Sequence, residues 1–318
     1  MDKIRVAVVG AGVFGRHHLR VLSQSLNATL VGVVDADPER AAMAAAEHNC
    51  LTFATLGELK GNIDAAVVAV PTSQHAEVGC ELLESGIDVL VEKPIAPNLA
   101  SARRLVDTAA KHQRILQVGH LERFNPALAA LKKITSVPLF FEIHRLSLFS
   151  PRSLDVDVVL DLMIHDLDIV LDLAGAMPEE IRAAGITILS DKVDIANVRL
   201  AFPGGCIANL TASRVSTERV RKLRLFQPHQ YISLDYQKQD AVAFTVSGSQ
   251  QIGFQPLPVT KEEPLRLEVE AFLEAVASRS RPLVSGEEGL RALEIALAIL
   301  DKIEEHAKLV TQRLQLLS

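Results

Sequence analysis

The 318-residue chain has no tryptophan, two tyrosines and only 4% aromatic residues. That scarcity argues against an aromatic platform for sugars and against a surface that stacks nucleic-acid bases. Basic residues are in the minority, 33 against 39 acidic, for a formal net charge of −6. With no basic excess and no basic tail, neither nucleic acid nor an anionic membrane is the expected partner. Cysteine is equally sparse. Cys50, Cys80 and Cys206 form no CxxC pair and no ligand cluster, so no metal is expected, and three scattered thiols fit a reducing cytoplasm. No run reaches the ~18 apolar residues of a membrane span. The apolar stretch after Met1-Asp2-Lys3 is too short for the core of a signal peptide. What the chain does have is core material, 48% hydrophobic against 23% charged residues, enough for two domains at about 150 residues each.

The pattern changes near residue 120. Before it, Val- and Ile-rich runs at 4–9, 30–34, 65–70, 89–91 and 115–118 suit strands buried on both faces. Helical segments lie between them. One starts at Gly15 with Leu19, Leu22 and Leu26 on one face. A second has Asp37 as N-cap and Pro38 at its first position, and a third runs over 74–85 and stops at Gly86. This alternation predicts an α/β fold, a doubly wound parallel sheet over 1–120. In 121–318, strand patterns follow one another at 139–144, 186–189, 196–202, 206–212, 222–226, 231–235 and 241–246. They predict a mostly antiparallel sheet, with helices around 156–173, 264–278 and 287–306.

Gly10-Ala11-Gly12-Val13-Phe14-Gly15 follows the first strand and opens a helix, the context in which GxGxxG cradles a dinucleotide pyrophosphate. Asp35 ends the second strand, where it can accept both ribose hydroxyls. Its charge would repel a 2′-phosphate, which favours NAD over NADP, although Arg40 stands close by. Ligands of such sheets bind outside the carboxyl ends of the strands. Val70, Pro71, Thr72 and His75 at one end, and Glu92 and Lys93 at another, therefore join the expected cofactor contacts. Lys93, set before Pro94, is also placed to meet a substrate hydroxyl.

Over 157–172, Asp157, Asp161, His165, Asp168 and Asp172 fall within a helical stripe about 80° wide on an otherwise apolar segment, Asp166 excepted. A helix this apolar is expected to be buried, with its polar stripe lining a cleft. Asp161 and His165, four residues apart, are spaced for the carboxylate to orient the imidazole.

These motifs, with Glu92-Lys93-Pro94 and Gly119-His120-Leu121-Glu122-Arg123-Phe124-Asn125-Pro126 at the domain junction, resemble the glucose–fructose oxidoreductase/inositol dehydrogenase/MocA (Gfo/Idh/MocA) family over nearly the whole chain. The resemblance implies a Rossmann domain followed by an α/β domain whose large open sheet commonly joins subunits, as a homodimer or homotetramer. It also implies oxidation or reduction of a sugar carbon with NAD or NADP. By position, Lys93, Asp161 and His165 match the catalytic trio, and the substrate set becomes Lys93, His120, Arg123, Asn125, Arg152 and His165. Within the family, the junction and helix motifs are most like those of members that oxidise C3 of UDP-N-acetylglucosamine for lipid A. Arg145, Arg152, Arg214, Arg219 and Arg221 are cations that could meet a diphosphate. Two alternatives remain: a dehydrogenase of a free sugar, inositol or another cyclic alcohol, and a non-catalytic NAD-binding regulator.

Overall fold

Short Val-, Ile- and Ala-rich runs become strands with both faces covered. The computed structural model describes residues 3–149, 156–246 and 251–315. Its first sheet is parallel and six-stranded: Ile4–Val9 (β1), Ala28–Val34 (β2), Leu51–Phe53 (β3), Ala65–Val68 (β4), Asp88–Glu92 (β5) and Leu116–Gly119 (β6), in the order β3-β2-β1-β4-β5-β6. The order reverses between β1 and β4, the crevice where doubly wound sheets bind ligands. Helices Val13–Gln24 (α1), Pro38–His48 (α2), His75–Glu84 (α3) and Leu99–Lys111 (α4) connect the strands. Helix α4 falls outside the helical patterns of the sequence. Asp37 caps α2 as expected, its carboxylate accepting from the amides of Glu39 and Arg40. In α1, Leu19 and Leu22 are buried, but Leu26 lies beyond the helix end and is 82% exposed, so it is no part of the stripe.

The second sheet has eight strands: Phe140–Leu148 (β7), Glu180–Ile186 (β8), Ile195–Ala201 (β9), Ile207–Ser216 (β10), Val220–Gln227 (β11), Gln230–Asp235 (β12), Asp240–Val246 (β13) and Ile252–Pro256 (β14). Their order is β14-β13-β12-β11-β7-β10-β9-β8, antiparallel throughout except for β7 beside β10. The strand expected at 186–189 is displaced. The amides of Ile188, Leu189 and Ser190 turn onto the Asp194 carboxylate, so β8 ends at Ile186. Helix Pro126–Ile134 (α5) and strand β14 were not expected. Along β7, Phe141 and Ile143 are buried while Phe140, Glu142 and His144 are half-buried, the alternation of a sheet with one covered face.

On the less covered face, Phe140, Phe226, Tyr231, Phe244 and Phe254 pair directly across five strands, with neighbouring ring centroids 4.5–5.7 Å apart. A low average count does not prevent the pleat from gathering aromatics into one row.

The long helix expected at 156–173 is in two parts, a π-helical turn at Val159–Met163 followed by Ile164–Ala174 (α6). The chain ends in Pro264–Ser278 (α7) and Gly286–Gln315 (α8). Contacts divide it into Met1–Leu121 with Glu263–Leu293, and Glu122–Glu262 with Glu294–Ser318. A single 121–318 domain therefore does not describe the packing. Val269, Phe272 and Leu273 of α7 share a buried cluster with Val6, Val8 and Leu19, so helix α7 completes the core of the first unit. No helix among the described residues is long and apolar enough to cross a membrane.

Candidate functional site

Gly10 sits at φ +96°, and a Cβ there would come 2.6 Å from the carbonyl oxygen of Ala69. A Cβ on Gly15 would lie 1.7 Å from the Gly10 oxygen. Only glycine lets this turn close and α1 start directly behind it. At Gly12, by contrast, a Cβ would meet nothing within 4 Å, and no side chain caps α1. Open space over an uncapped helix N-terminus fits a pyrophosphate. The turn borders a cleft of about 560 Å³ lined by Gly10, Gly12, Val13, Phe14, Asp35, Arg40, Val70 and Pro71.

The Asp35 carboxylate is set by two amides, accepting from Ala11 N at 2.6 Å and Asp37 N at 2.8 Å. Arg40 Nη1 stands 3.7 Å from Asp35 and its Nη2 3.1 Å from Asp37. Thr72 is not among the lining residues. Ala54, Thr55, Leu56, Ala69, Gln74 and Val78 are, and were not anticipated. The rule that ligands sit beyond strand ends could have found 54–56 after β3; Val78 required the position of α3.

At the end of β5, Glu92 is part of a buried arrangement rather than the cleft lining. Its Oε1 is 2.7 Å from His18 Nε2, and its Oε2 accepts from the Lys93 amide at 3.3 Å. Gly119 leaves room for it, since a Cβ there would lie 3.1 Å from Glu92 Oε2. Burial pushes the Glu92 carboxyl up, but the hydrogen bond and charge of His18 and the charge of Lys93 outweigh it, and the net direction is down. Lys93 is half-buried and precedes a cis bond to Pro94. His75, expected to contact the cofactor, is not among the residues lining the cleft. It is 1% exposed, with Nδ1 2.9 Å from the Pro94 oxygen and Nε2 2.9 Å from the Val70 oxygen. Burial lowers its pKa, against the hydrogen bonds to Pro94 and Val70. His75 thus ties the segment after Lys93 to the end of β4.

In the second unit the polar stripe does not hold as a cleft lining. Asp168 and Asp172 bind Arg123, at 3.2 and 2.8 Å, and Lys132 adds a contact to Asp172 at 2.7 Å. Asp157 accepts from Val193 N at 2.8 Å. Asp161 in the π-helical turn and His165 in α6 are half-buried. Arg123, expected to bind substrate, is 5% exposed and held by two carboxylates.

Asn125 caps α5 and donates through Nδ2 to the main-chain oxygen of Tyr236. His120 is buried. Arg145 lies across Asp166, with two contacts of 2.7 Å, and meets Glu122 at 3.0 Å. Burial pushes Asp166 up while Arg145 pulls it down, leaving it net raised. Arg214 pairs with Asp194 at 3.2 Å. Arg219 is exposed and Arg221 half-buried, 3.6 Å from Glu122. Arg152 lies outside the described residues. Burial of Arg145 and Arg214 removes both from the cations free to meet a diphosphate.

An oxidoreductase-family model, described as an NAD-binding Rossmann fold, matches residues 4–120, and the Gfo/Idh/MocA C-terminal domain model matches 144–230. The chain belongs to the Gfo/Idh/MocA oxidoreductase family. UDP-N-acetylglucosamine 3-dehydrogenase of Acidithiobacillus ferrooxidans is 35% identical over 96% of this chain and 98% of its own. A solved structure of that enzyme superposes with a TM-score of 0.91, covering 96% of this chain and 99% of the other. Inositol 2-dehydrogenase of Rhizobium meliloti is 25% identical over 95% of this chain and 97% of its own. As a family member the chain is an NAD-dependent oxidoreductase acting on a CH–OH group, and Gly10–Gly15 with Asp35 are the residues fitted to hold NAD.

Proposed function

We propose that the chain oxidises the C3 hydroxyl of UDP-N-acetylglucosamine to the 3-keto nucleotide sugar, in lipid A or surface-polysaccharide synthesis in the cytoplasm. The observation that carries this reading is the 35% identity running through 96% of the chain and 98% of an enzyme named for that activity. Bound NAD supplies the hydride acceptor. His165, oriented by Asp161, takes the hydroxyl proton as the carbonyl forms, and Lys93 donates a hydrogen bond to the developing alkoxide; these two roles are exchangeable. General-base help of this kind contributes about 100-fold or more, and one oxyanion donor about 3–4 kcal/mol.

A second reading keeps the chemistry and changes the substrate to inositol or a free sugar. It is favoured by the full-length match to an inositol 2-dehydrogenase and by a second one at 34% identity over 196 residues. A silent NAD-binding regulator, the third, has no chemical need for Lys93, Asp161 and His165 together.

The test is NADH absorbance with UDP-N-acetylglucosamine, N-acetylglucosamine or myo-inositol, each with glutamate and a sugar aminotransferase to draw off a keto product. Signal with the nucleotide sugar alone supports the proposal. Signal with a free polyol moves the substrate, and silence with all three, NADH binding being intact, favours the regulator. K93M and H165A should lower turnover by about 100-fold or more while retaining NADH binding. Near-normal turnover in both would refute their roles. The aromatic row of the second sheet is assigned to a contact with a second copy of the chain, giving a homodimer or homotetramer. Light scattering should show an assembly that F244E splits.

A further inference from the structure

A buried acid without a hydrogen-bond partner lies beside Glu92, the residue before Lys93, within the first unit. Glu268 of α7 is 1% exposed, and neither of its carboxylate oxygens has a hydrogen-bond partner among the described residues. One oxygen of Glu268, one of Glu92 and a ring nitrogen of His18 all lie within 4.8 Å of one another. Gln117 of β6 holds the same stretch of α7 in place, its Nε2 donating to the Glu268 carbonyl at 3.1 Å. Two ionised carboxylates this close, one without any donor, would leave a buried charge uncompensated. Glu92 has its donors already, in His18 and the Lys93 amide.

We propose that Glu268 is a positioning residue for Lys93: held as a neutral acid, it leaves Glu92 the one negative charge of the cluster, free to keep the end of β5 in place. The inference rests on the role given above to Lys93. The groups facing the cluster are His18 from α1, Glu92 and Lys93 from the end of β5, and His75 from α3. Burial, reinforced by the charge of Glu92, pushes the Glu268 carboxyl well above its ordinary value. An acid raised in the folded state takes up its proton on folding. Wild-type stability should therefore fall as pH rises above the unfolded value of 4.5 and level off once the folded group itself ionises.

The test compares wild type with E268Q, whose amide mimics the neutral acid, and with E268A. Melting temperatures of wild type and E268Q should coincide near the unfolded pKa. They should separate with rising pH, E268Q becoming the more stable by up to about tenfold in folding constant per pH unit. Exchange of the Lys93 amide should accelerate at alkaline pH in wild type beyond its intrinsic dependence, and not in E268Q. With UDP-N-acetylglucosamine, the alkaline fall in kcat should move to higher pH in E268Q with KM for NAD unchanged. If E268Q fails to fold, a protonated-carboxyl infrared band present in wild type and lost in E268A carries the same test.

A pH-independent gap in melting temperature with identical Lys93 exchange would overturn the proposal. So would a stoichiometric divalent metal in wild type that E268Q lacks, because the ion would then supply the compensating charge. Absent turnover beside pH-dependent melting and exchange would refute the proposed substrate and uphold the role of Glu268.

Discussion

Replacing Asp35 by Asn removes one charge from the cofactor cleft and leaves a side-chain oxygen able to accept from the Ala11 amide, now at 2.6 Å. The expected consequence is weaker discrimination between NADH and NADPH. Two unit charges about 4 Å apart interact by about 4 kcal/mol at an effective dielectric of 20. Screening over a Debye length of about 8 Å reduces that to roughly 2.5 kcal/mol. Arg40, 3.7 Å from Asp35, takes up part of the remainder. The loss should be about 1–2 kcal/mol, so the ratio of NADPH to NADH dissociation constants falls by about 5- to 30-fold in D35N. R40A, which leaves Asp35 unscreened, should move the ratio the other way. Titration calorimetry at low and high salt measures both, and the wild-type ratio should shrink as salt is added. A D35N ratio unchanged within about twofold would refute the electrostatic account of cofactor choice.

Gly15→Ala should abolish NADH binding, because its Cβ would lie 1.7 Å from the Gly10 oxygen and the turn must open; overpacking of this kind costs about 1–3 kcal/mol, readable as a lower melting temperature. Asp166→Asn leaves the buried Arg145 charge without its two-contact partner and should destabilise by about 3–5 kcal/mol; an unchanged thermal or denaturant midpoint would refute it. Replacing His75 by Ala should lower turnover more than NADH affinity, since His75 holds the segment after Lys93 without lining the cleft; equal losses in both would place it in the cofactor site after all.

The parts of the fold legible in the sequence were those written in local chemistry. Apolar strands followed by a glycine turn, an Asp at a strand end and the Asp37-Pro38 cap each depend on neighbours a few residues away. These were enough for the parallel sheet and the NAD cleft. The stripe on 157–172 was legible as polarity but not as purpose. Helical spacing cannot show that Asp168 and Asp172 answer Arg123, 45 and 49 residues back, or that the first turn is π-helical.

What only the tertiary structure decided has one physical origin: burial forces polar groups to find partners far along the chain. That turned Arg123, Arg145 and Arg214 from ligand candidates into buried ion pairs. It set both ring nitrogens of His75 against backbone oxygens, and it brought Glu268 beside His18 and Glu92. The sequence by itself determined that this chain binds a dinucleotide on a doubly wound sheet, because that chemistry is local. Which of its other charges can reach a ligand was decided by the packing that leaves some in the cleft and seals the others inside.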